Sequence, residues 1–250
     1  IVLTNDAPCT FAGFHKSQSH TIVHTMNVSP HDSALWASTL IQSRRTTLPK
    51  RLCEPGPDAG QKRLILEAAA AAPDHEQLLP WRFIEIPEAC RAALGQAFED
   101  ALMDRDPSAS EDQRLQARDK AARSPWLLLV VVRTGGQPDD IPAHERLLSA
   151  GAAVQNMLLM TAALGLGSSL TSGKAMTSSA LRTLFRLSDQ EQAVCFVNVG
   201  HIQNARKERP RPGVEQYFSC LDERPGHAQD PADQARAGTR FSVRVRNQKR

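Results

Sequence analysis

The chain has 250 residues, of which 41% are hydrophobic, 23% are charged and 5% are aromatic. This length allows one large domain or two small ones, and the composition excludes collagen-like and wholly disordered proteins. The scarcity of aromatic residues argues against an aromatic-rich β-sandwich and against a stacking platform for single-stranded nucleic acid.

The net charge of +3 is unevenly distributed along the chain. Residues 1–202 carry 19 basic and 21 acidic side chains, whereas residues 203–250 carry 11 basic and 6 acidic ones. A nucleic-acid-binding protein usually spreads positive charge over a folded face, and here the basic excess lies in the tail. We therefore expect no nucleic-acid partner, and nucleic-acid binding through the tail is retained only as an alternative.

Composition divides the chain into three parts. Residues 1–25 are expected to be a disordered extension, and they lack the basic segment and apolar stretch of a secretory signal. Residues 26–221 are predicted to form a single domain. Residues 222–250 are predicted to be a disordered basic tail, because Pro, Gly, Asp, Gln and Ala dominate residues 222–240.

The histidine and cysteine patterns predict no metal site. The first four histidines are five, four and seven residues apart, which does not match metal-ligand spacing. They are His15, His20, His24 and His31. The five cysteines form no CxxC pair, which argues against a zinc knuckle and against a disulfide framework. Reduced cysteines and a cytoplasmic location are the default expectation.

Hydrophobic periodicity and capping signals predict six helices and four strands in chain order. Asp32 or Ser33 is predicted to cap the first helix, Asp58 the second and Thr177 the last. The predicted helices span residues 32–43, 58–72, 87–105, 110–123, 143–164 and 177–187. The predicted strands span residues 81–86, 127–132, 168–171 and 193–199. Strands separated by helices predict an α/β or α+β domain.

An uncharged stretch from Leu147 to Gly173 is long enough to raise the question of a membrane span. Polar residues within it, including Gln155 and Asn156, favour instead a helix buried on nearly all sides, in a core or an interface. We therefore predict no membrane association.

The common catalytic motifs are missing from the sequence. It contains no GxGxxG after a strand, no GxxxxGKS, no GxSxG nucleophile elbow and no HExxH. Nucleophilic and zinc-hydrolase mechanisms therefore lack sequence support, and no residue is predicted with certainty to be catalytic.

Three local features nevertheless carry chemistry. Arg44, Arg45 and Thr46, called here the 44–46 segment, offer forked donors to an anion, or else the two cations simply line a helix C-terminus. The Ala-Pro-Asp-His sequence at residues 72–75 forms a bend in which His75 either acts on a ligand or is an ordinary turn histidine. Thr171, Ser172 and Gly173, called here the 171–173 turn, either hold a phosphate or form an ordinary loop.

Taken in order, these features resemble the compact bacterial YdjA-like branch of the nitroreductase family. The resemblance rests on SRRT at residues 43–46, on APDH with the downstream Pro80-Trp81 pair, and on the glycine-rich turn after an uncharged helix. It covers about residues 35–218. It implies an FMN-dependent homodimer of α+β fold, with a central mixed sheet of about four strands that a C-terminal segment of the partner subunit completes.

The resemblance also implies site residues. FMN would be bound at the subunit interface by Arg44, Arg45, Thr46, His75, Gln77, Thr171, Ser172 and Gly173. His75 would modulate the flavin, and the nicotinamide of NADH or NADPH would contact Leu164 and Gly165. The implied reaction passes a hydride from NAD(P)H through the flavin to a nitro-aromatic, a quinone or a related small-molecule acceptor, with ping-pong kinetics.

The sequence departs from the family pattern at four positions. Ala71 replaces a basic residue, Leu79 replaces a Gln, and Leu170-Thr171 replaces a Trp-Arg pair. Losing these contacts weakens flavin binding unless Arg206, Lys207, Arg209 or Arg211 replaces them. A degenerate member that binds flavin or dimerises without efficient turnover is therefore the alternative function.

Overall fold

The computed structural model describes residues 29–138, 140–204 and 210–221. Residues 29–204 belong to one compact unit and residues 210–221 to a second, so the extent of the predicted 26–221 domain stays a prediction. The predicted N-terminal extension, the basic tail, and Arg206, Lys207 and Arg209 lie outside the described residues.

The first two helices begin at polar caps. Helix α1 (Pro30–Ser43) is capped by Ser29, whose Oγ accepts from the Asp32 backbone N–H at 3.2 Å. The predicted caps Asp32 and Ser33 lie inside the helix, because proline tolerates the first helical position and extends the helix towards its N-terminus. Helix α2 (Ala59–Ala69) begins at Asp58 as predicted, in a capping box with Gln61.

The remaining helices match the predicted elements, with changes at their ends. Pro87 precedes a 3-10 turn, so helix α3 begins only after Cys90. Helix α6 is capped by Ser178 rather than by Thr177, and it ends three residues before the predicted Leu187. Their bounds are α3 Arg91–Arg105, α4 Glu111–Asp119, α5 Ala143–Ala163 and α6 Ser179–Leu184.

A five-stranded sheet forms the centre of the larger unit. Its strands are β1 Leu52–Cys53, β2 Trp81–Glu85, β3 Trp126–Arg133, β4 Gly167–Thr171 and β5 Glu191–Ile202. Strand β5 pairs with β1, β3 and β4, and β2 pairs with the far side of β3. Every one of these strand pairs is antiparallel, so the prediction of a mixed sheet is wrong. The two-residue strand β1 was not predicted because it is too short to show a pattern.

The sheet carries a hydrophobic layer on each face. Helices α2 and α5 cover one face, where Leu128 and Val130 of β3 meet Met157 of α5. Helices α3 and α6 cover the other face, where Leu129 of β3 packs with Leu94 of α3. Strand β3 is buried along nearly its whole length, which confirms the prediction from its continuous apolar run.

The uncharged stretch forms helix α5 and strand β4. One face of α5 is buried against the sheet, but Leu148 on the other face is 70% exposed, so the helix is not buried on nearly all sides within one chain. No helix in the described part of the chain is both long enough and apolar enough to cross a membrane.

Candidate functional site

The predicted site residues lie at two opposite edges of the sheet. The 44–46 segment and the 171–173 turn lie beside β4, whereas His75 and Gln77 lie just before β2. Three strand spacings separate β4 from β2, which corresponds to about 14 Å. Within one chain, the structure therefore brings the first two groups to a common edge and keeps the histidine bend apart from them.

The 44–46 segment leads from α1 onto strand β4. Thr46 forms a parallel bridge with Ser168, and the Thr47 backbone N–H donates to the Ser168 carbonyl at 2.8 Å. The Arg45 guanidinium donates to the carbonyls of Gln42 and Arg44, so it contacts the C-terminus of α1. This contact agrees with the helix-end interpretation for Arg45, and anion binding by the segment stays a prediction.

The 171–173 turn is fixed by a buried amide that sequence analysis missed. Asn198 of β5 is 3% exposed, and its Nδ2 donates to the Ser169 carbonyl at 3.3 Å and to Thr171 Oγ1 at 3.0 Å. Because Thr171 Oγ1 accepts here, its own proton is directed to another acceptor. Asn198 was detectable as the one polar side chain in the apolar run of residues 193–199.

A cavity of about 570 Å³ opens beside this turn. All three residues of the 171–173 turn line it, and α3 and α4, which pack together, supply its opposite wall. We call it the hairpin cavity. Its apolar lining residues are Pro49, Phe98, Leu102, Ala117, Leu127, Ala175, Met176 and Phe196. Phe98 and Phe196 meet edge to face at 5.6 Å, which sets one aromatic corner of the cavity.

Buried charge holds the α3–α4 wall in place. Glu99 of α3 is 5% exposed, and its carboxylate accepts a hydrogen bond from Arg118 of α4. Arg114 of α4 lies 3.7 Å from the same carboxylate. A buried carboxylate flanked by two guanidiniums fixes the spacing of the two helices, and with it the width of the cavity.

Four basic side chains line the hairpin cavity, and they are called here the rim cations. They are Arg105, Lys120, Arg123 and Lys174. Among the described residues, no Asp or Glu lines the cavity, and none of the rim cations forms an ion pair with a carboxylate. The cavity therefore has a positive potential that favours an anionic ligand. Sequence analysis missed these residues because they come from three separate segments.

The bend before β2 has a strained backbone. Glu76, Gln77 and Leu79 have φ values of 52°, 55° and 47°, which are uncommon for residues other than glycine. Asp74 stabilises this shape, since its Oδ2 accepts from the Leu79 backbone N–H at 2.6 Å. Ser149 of α5 donates to Asp74 Oδ1 at 3.1 Å and itself accepts from Trp81 Nε1 at 3.0 Å. The bend is thus hydrogen-bonded to α5 through Ser149.

His75 projects from this bend at the protein surface. Its Nδ1 lies 2.6 Å from Glu145 Oε2 of α5, and this hydrogen bond raises the pKa of His75 above its ordinary value of 6.5. Gln77 is exposed on the same bend. The structure therefore gives His75 one surface ion pair, and action on a ligand stays a prediction.

Replacing Glu145 by Gln should lower the pKa of His75 towards 6.5, because the charged hydrogen-bond acceptor is lost. In the wild type, the ion pair stabilises the folded protein fully at a pH below the pKa of His75 in the unfolded state. This stabilisation is lost as the pH rises through the raised pKa of His75 in the folded state. An NMR titration of the His75 ring protons measures both midpoints. Equal midpoints in the two proteins would contradict the assigned contact.

The predicted nicotinamide contacts lie at the C-terminus of α5. Leu164 caps the helix and is half-buried, and Gly165 follows it with a φ of 74° in the left-handed region. An added Cβ at Gly165 would meet no atom within 4 Å, so the backbone conformation alone favours glycine here. Among the described residues, no group of three or more His, Cys, Asp or Glu side chains is arranged to hold a metal ion.

Comparison with solved structures identifies the fold. The chain is similar to the crystal structure of a nitroreductase-like family protein from Bacillus cereus, with a TM-score of 0.63 at 18% identity, covering 74% of this chain and 95% of that one. It is also similar to a Desulfovibrio desulfuricans protein assigned as a nitroreductase and solved with FMN, with a TM-score of 0.56 at 22% identity, covering 74% and 96%. The protein therefore has the nitroreductase-like α+β fold.

Sequence comparison identifies the family. The Nitroreductase family model matches residues 41–201. A Haemophilus influenzae protein assigned as an NAD(P)H nitroreductase is 32% identical over 164 residues, covering 66% of this chain and 87% of that protein. The Escherichia coli K12 protein assigned as NAD(P)H nitroreductase YdjA is 32% identical over 165 residues with the same coverage. The chain belongs to the nitroreductase family and is an oxidoreductase, which confirms the resemblance inferred from its motifs.

Proposed function

We propose that the protein is an FMN-dependent oxidoreductase that takes a hydride from NADH or NADPH and reduces a nitro-aromatic, a quinone or a related small acceptor. The support is family membership, together with the FMN in one solved structural neighbour. The observation in this chain that carries the proposal is the common edge at β4, where paired arginines and a hydroxyl-rich turn lie along one strand. When bound, FMN supplies the two-electron chemistry, so the protein needs no nucleophile of its own.

The residues beside β4 fit a flavin nucleotide. Thr46 is bridged to Ser168, three residues before Thr171, so the 44–46 segment and the 171–173 turn lie about 10 Å apart along the strand. The two guanidiniums would hold the phosphate, and the turn would hold the ring end. Ser169 Oγ between them is buried without a hydrogen-bond partner among the described residues, which suits a site that a ligand completes.

The proposal includes a homodimer with one flavin site at each end of a shared interface. Helix α1 has no buried residue, and its apolar side chains Leu35, Trp36 and Ile41 are 58%, 60% and 49% exposed. These exposed apolar side chains suit contact with a second copy of the chain. A twofold interface would also allow the His75 bend of one subunit to approach the β4 edge of the other, which a single chain keeps apart. The described free cysteines Cys53, Cys90, Cys195 and Cys220 suit the reducing cytoplasm proposed for it.

Steady-state kinetics test the proposed reaction. Purified protein reconstituted with FMN should oxidise NADH or NADPH only when an acceptor such as menadione or nitrofurazone is present, and the double-reciprocal plots should be parallel. Parallel lines follow because donor and acceptor use the flavin in turn. Intersecting lines would contradict the ping-pong mechanism, and flavin retention without acceptor-dependent oxidation would replace this function by the alternative below.

The alternative is a family member that retains flavin or dimerises without efficient turnover. Two of the positions that depart from the family pattern carry exposed leucines, with Leu79 at 60% and Leu170 at 45%. Neither can donate a hydrogen bond to a cofactor. Robust oxidation of NAD(P)H in the preceding experiment would eliminate this alternative.

A further inference from the structure

We infer that the hairpin cavity binds a planar molecule carrying an anionic group, such as an aromatic carboxylate. The inference deepens the proposed function, under which this molecule is the electron acceptor. It goes beyond a general preference for nitro-aromatics or quinones, because it requires a negative charge on the acceptor.

The arginines of the 44–46 segment and the rim cations form two separate groups. The 44–46 segment carries two arginines and does not line the hairpin cavity, whereas the four rim cations do. FMN has a single phosphate, which the 44–46 segment would already bind. The rim cations are therefore available to a second anion.

The shape and chemistry of the hairpin cavity suit a small ring with a charged substituent. Its volume of about 570 Å³ lies in the range of sites for small ligands, about 300–1,000 Å³. Phe98, Leu127, Met176 and Phe196 provide apolar contact for a ring, whereas Lys120 and Arg123 are exposed. An apolar lining with cations at its margin selects a molecule with a flat apolar body and a charged substituent.

The hairpin cavity adjoins the proposed flavin site. The 171–173 turn belongs to both, since it is a predicted flavin contact and it lines the hairpin cavity. A ring in the cavity would lie next to this turn, where Thr171 Oγ1 accepts from Asn198 and directs its own proton elsewhere. The anionic substituent would then point to the rim cations, and the reducible group to the turn.

The test compares two acceptors that differ in charge and little in shape, para-nitrobenzoate and para-nitrobenzamide. In the FMN-loaded enzyme, kcat/KM should be higher for the carboxylate, and this preference should weaken with rising salt because exposed charges are screened. In the Lys120→Gln/Arg123→Gln double variant, the ratio of the two kcat/KM values should fall by about threefold to tenfold. Lys174→Gln, on a different segment, should lower the ratio in the same direction.

Arg63→Gln is the matched control, because Arg63 is an exposed cation of α2, which covers the opposite face of the sheet. It should leave the ratio unchanged. Calorimetric titration of both compounds into the protein without a nicotinamide donor gives a readout independent of turnover. The carboxylate should bind more tightly to the wild type, and the double variant should lose the difference.

Three results would overturn the inference. The first is equal binding of the two compounds by the wild type. The second is loss of FMN by the double variant with an unchanged ratio, which would assign the rim cations to the flavin phosphate. The third is a double variant whose KM rises for NADH and NADPH but not for the two acceptors. That result would assign the rim cations to the dinucleotide phosphates. Preferential binding of para-nitrobenzoate by a protein that shows no oxidoreductase activity would support the inference while rejecting the proposed function.

Discussion

Replacing Arg44 and Arg45 together by Ala should raise the Kd for FMN by about 100-fold to 10,000-fold. Each hydrogen bond from a charged donor contributes about 1.5–3 kcal/mol, and two guanidiniums acting on one phosphate give about 3–6 kcal/mol. Fluorescence titration of apoprotein with FMN measures the change directly.

Folding should be much less affected than flavin retention. Arg44 and Arg45 are half-buried, and Arg45 donates to carbonyls at the end of α1, so its loss should cost only about 1 kcal/mol of unfolding free energy. Urea unfolding of the apoprotein measures this cost. Arg63→Ala is the control, because Arg63 forms an exposed i,i+4 pair with Glu67 far from β4. Unchanged flavin occupancy in the double variant would show that the 44–46 segment does not bind the phosphate.

Replacing Arg146 by Met should destabilise the protein by about 3–5 kcal/mol. Arg146 of α5 is 1% exposed, and its guanidinium donates to four backbone carbonyls, those of Gly135, Gly136, Pro138 and Ile141. Methionine keeps the length of the side chain and removes every donor, so one buried and three part-buried carbonyls lose their partner. Chemical denaturation gives the change in unfolding free energy.

A second arginine provides the comparison for Arg146. Arg182 of α6 also donates to backbone carbonyls, those of Ser188 and Glu191, but its side chain is 34% exposed. Water can replace its contacts, so Arg182→Met should cost less than about 1.5 kcal/mol. Equal effects of the two substitutions would contradict the inference that the buried guanidinium of Arg146 stabilises the segment between β3 and α5 through these carbonyls.

The parts of the fold that the sequence predicts are those with a local physical signal. Asp58 caps α2 and the apolar run at residues 127–132 becomes the central strand, because capping and continuous burial are encoded within a few residues. The N-cap of α1 was misplaced, since Ser29 with Pro30 outweighs Asp32 and Ser33. The direction of strand pairing depends on how the whole chain packs, so the antiparallel sheet was not predictable from separate segments.

The candidate site likewise contains residues with a local sequence signal and residues that only the fold brings together. The 44–46 segment and the 171–173 turn are short motifs, and the structure places them along one strand. The rim cations come from the end of α3, from the residues after α4 and from the segment after β4, and no spacing in the sequence relates them. Only the fold shows that Lys120 and Lys174 line one cavity.

The bend that carries His75 lies apart from the other predicted flavin contacts within one chain. Asp74 and Ser149 hold the bend rigidly, yet it lies at the sheet edge opposite to β4. A strained and well-supported turn that carries an exposed His75 suits contact with another molecule. The proposed dimer would explain this separation, because the partner subunit would bring the opposite edge of its own sheet to the β4 edge.

The visible absorption spectrum of the purified protein tests the central claim most directly. After incubation with FMN and removal of free cofactor by gel filtration, the protein fraction should show the absorption bands of bound oxidised flavin, close to one FMN per chain. The Arg44→Ala/Arg45→Ala variant treated in parallel should show much less. A colourless wild-type protein fraction after the same treatment would contradict the account.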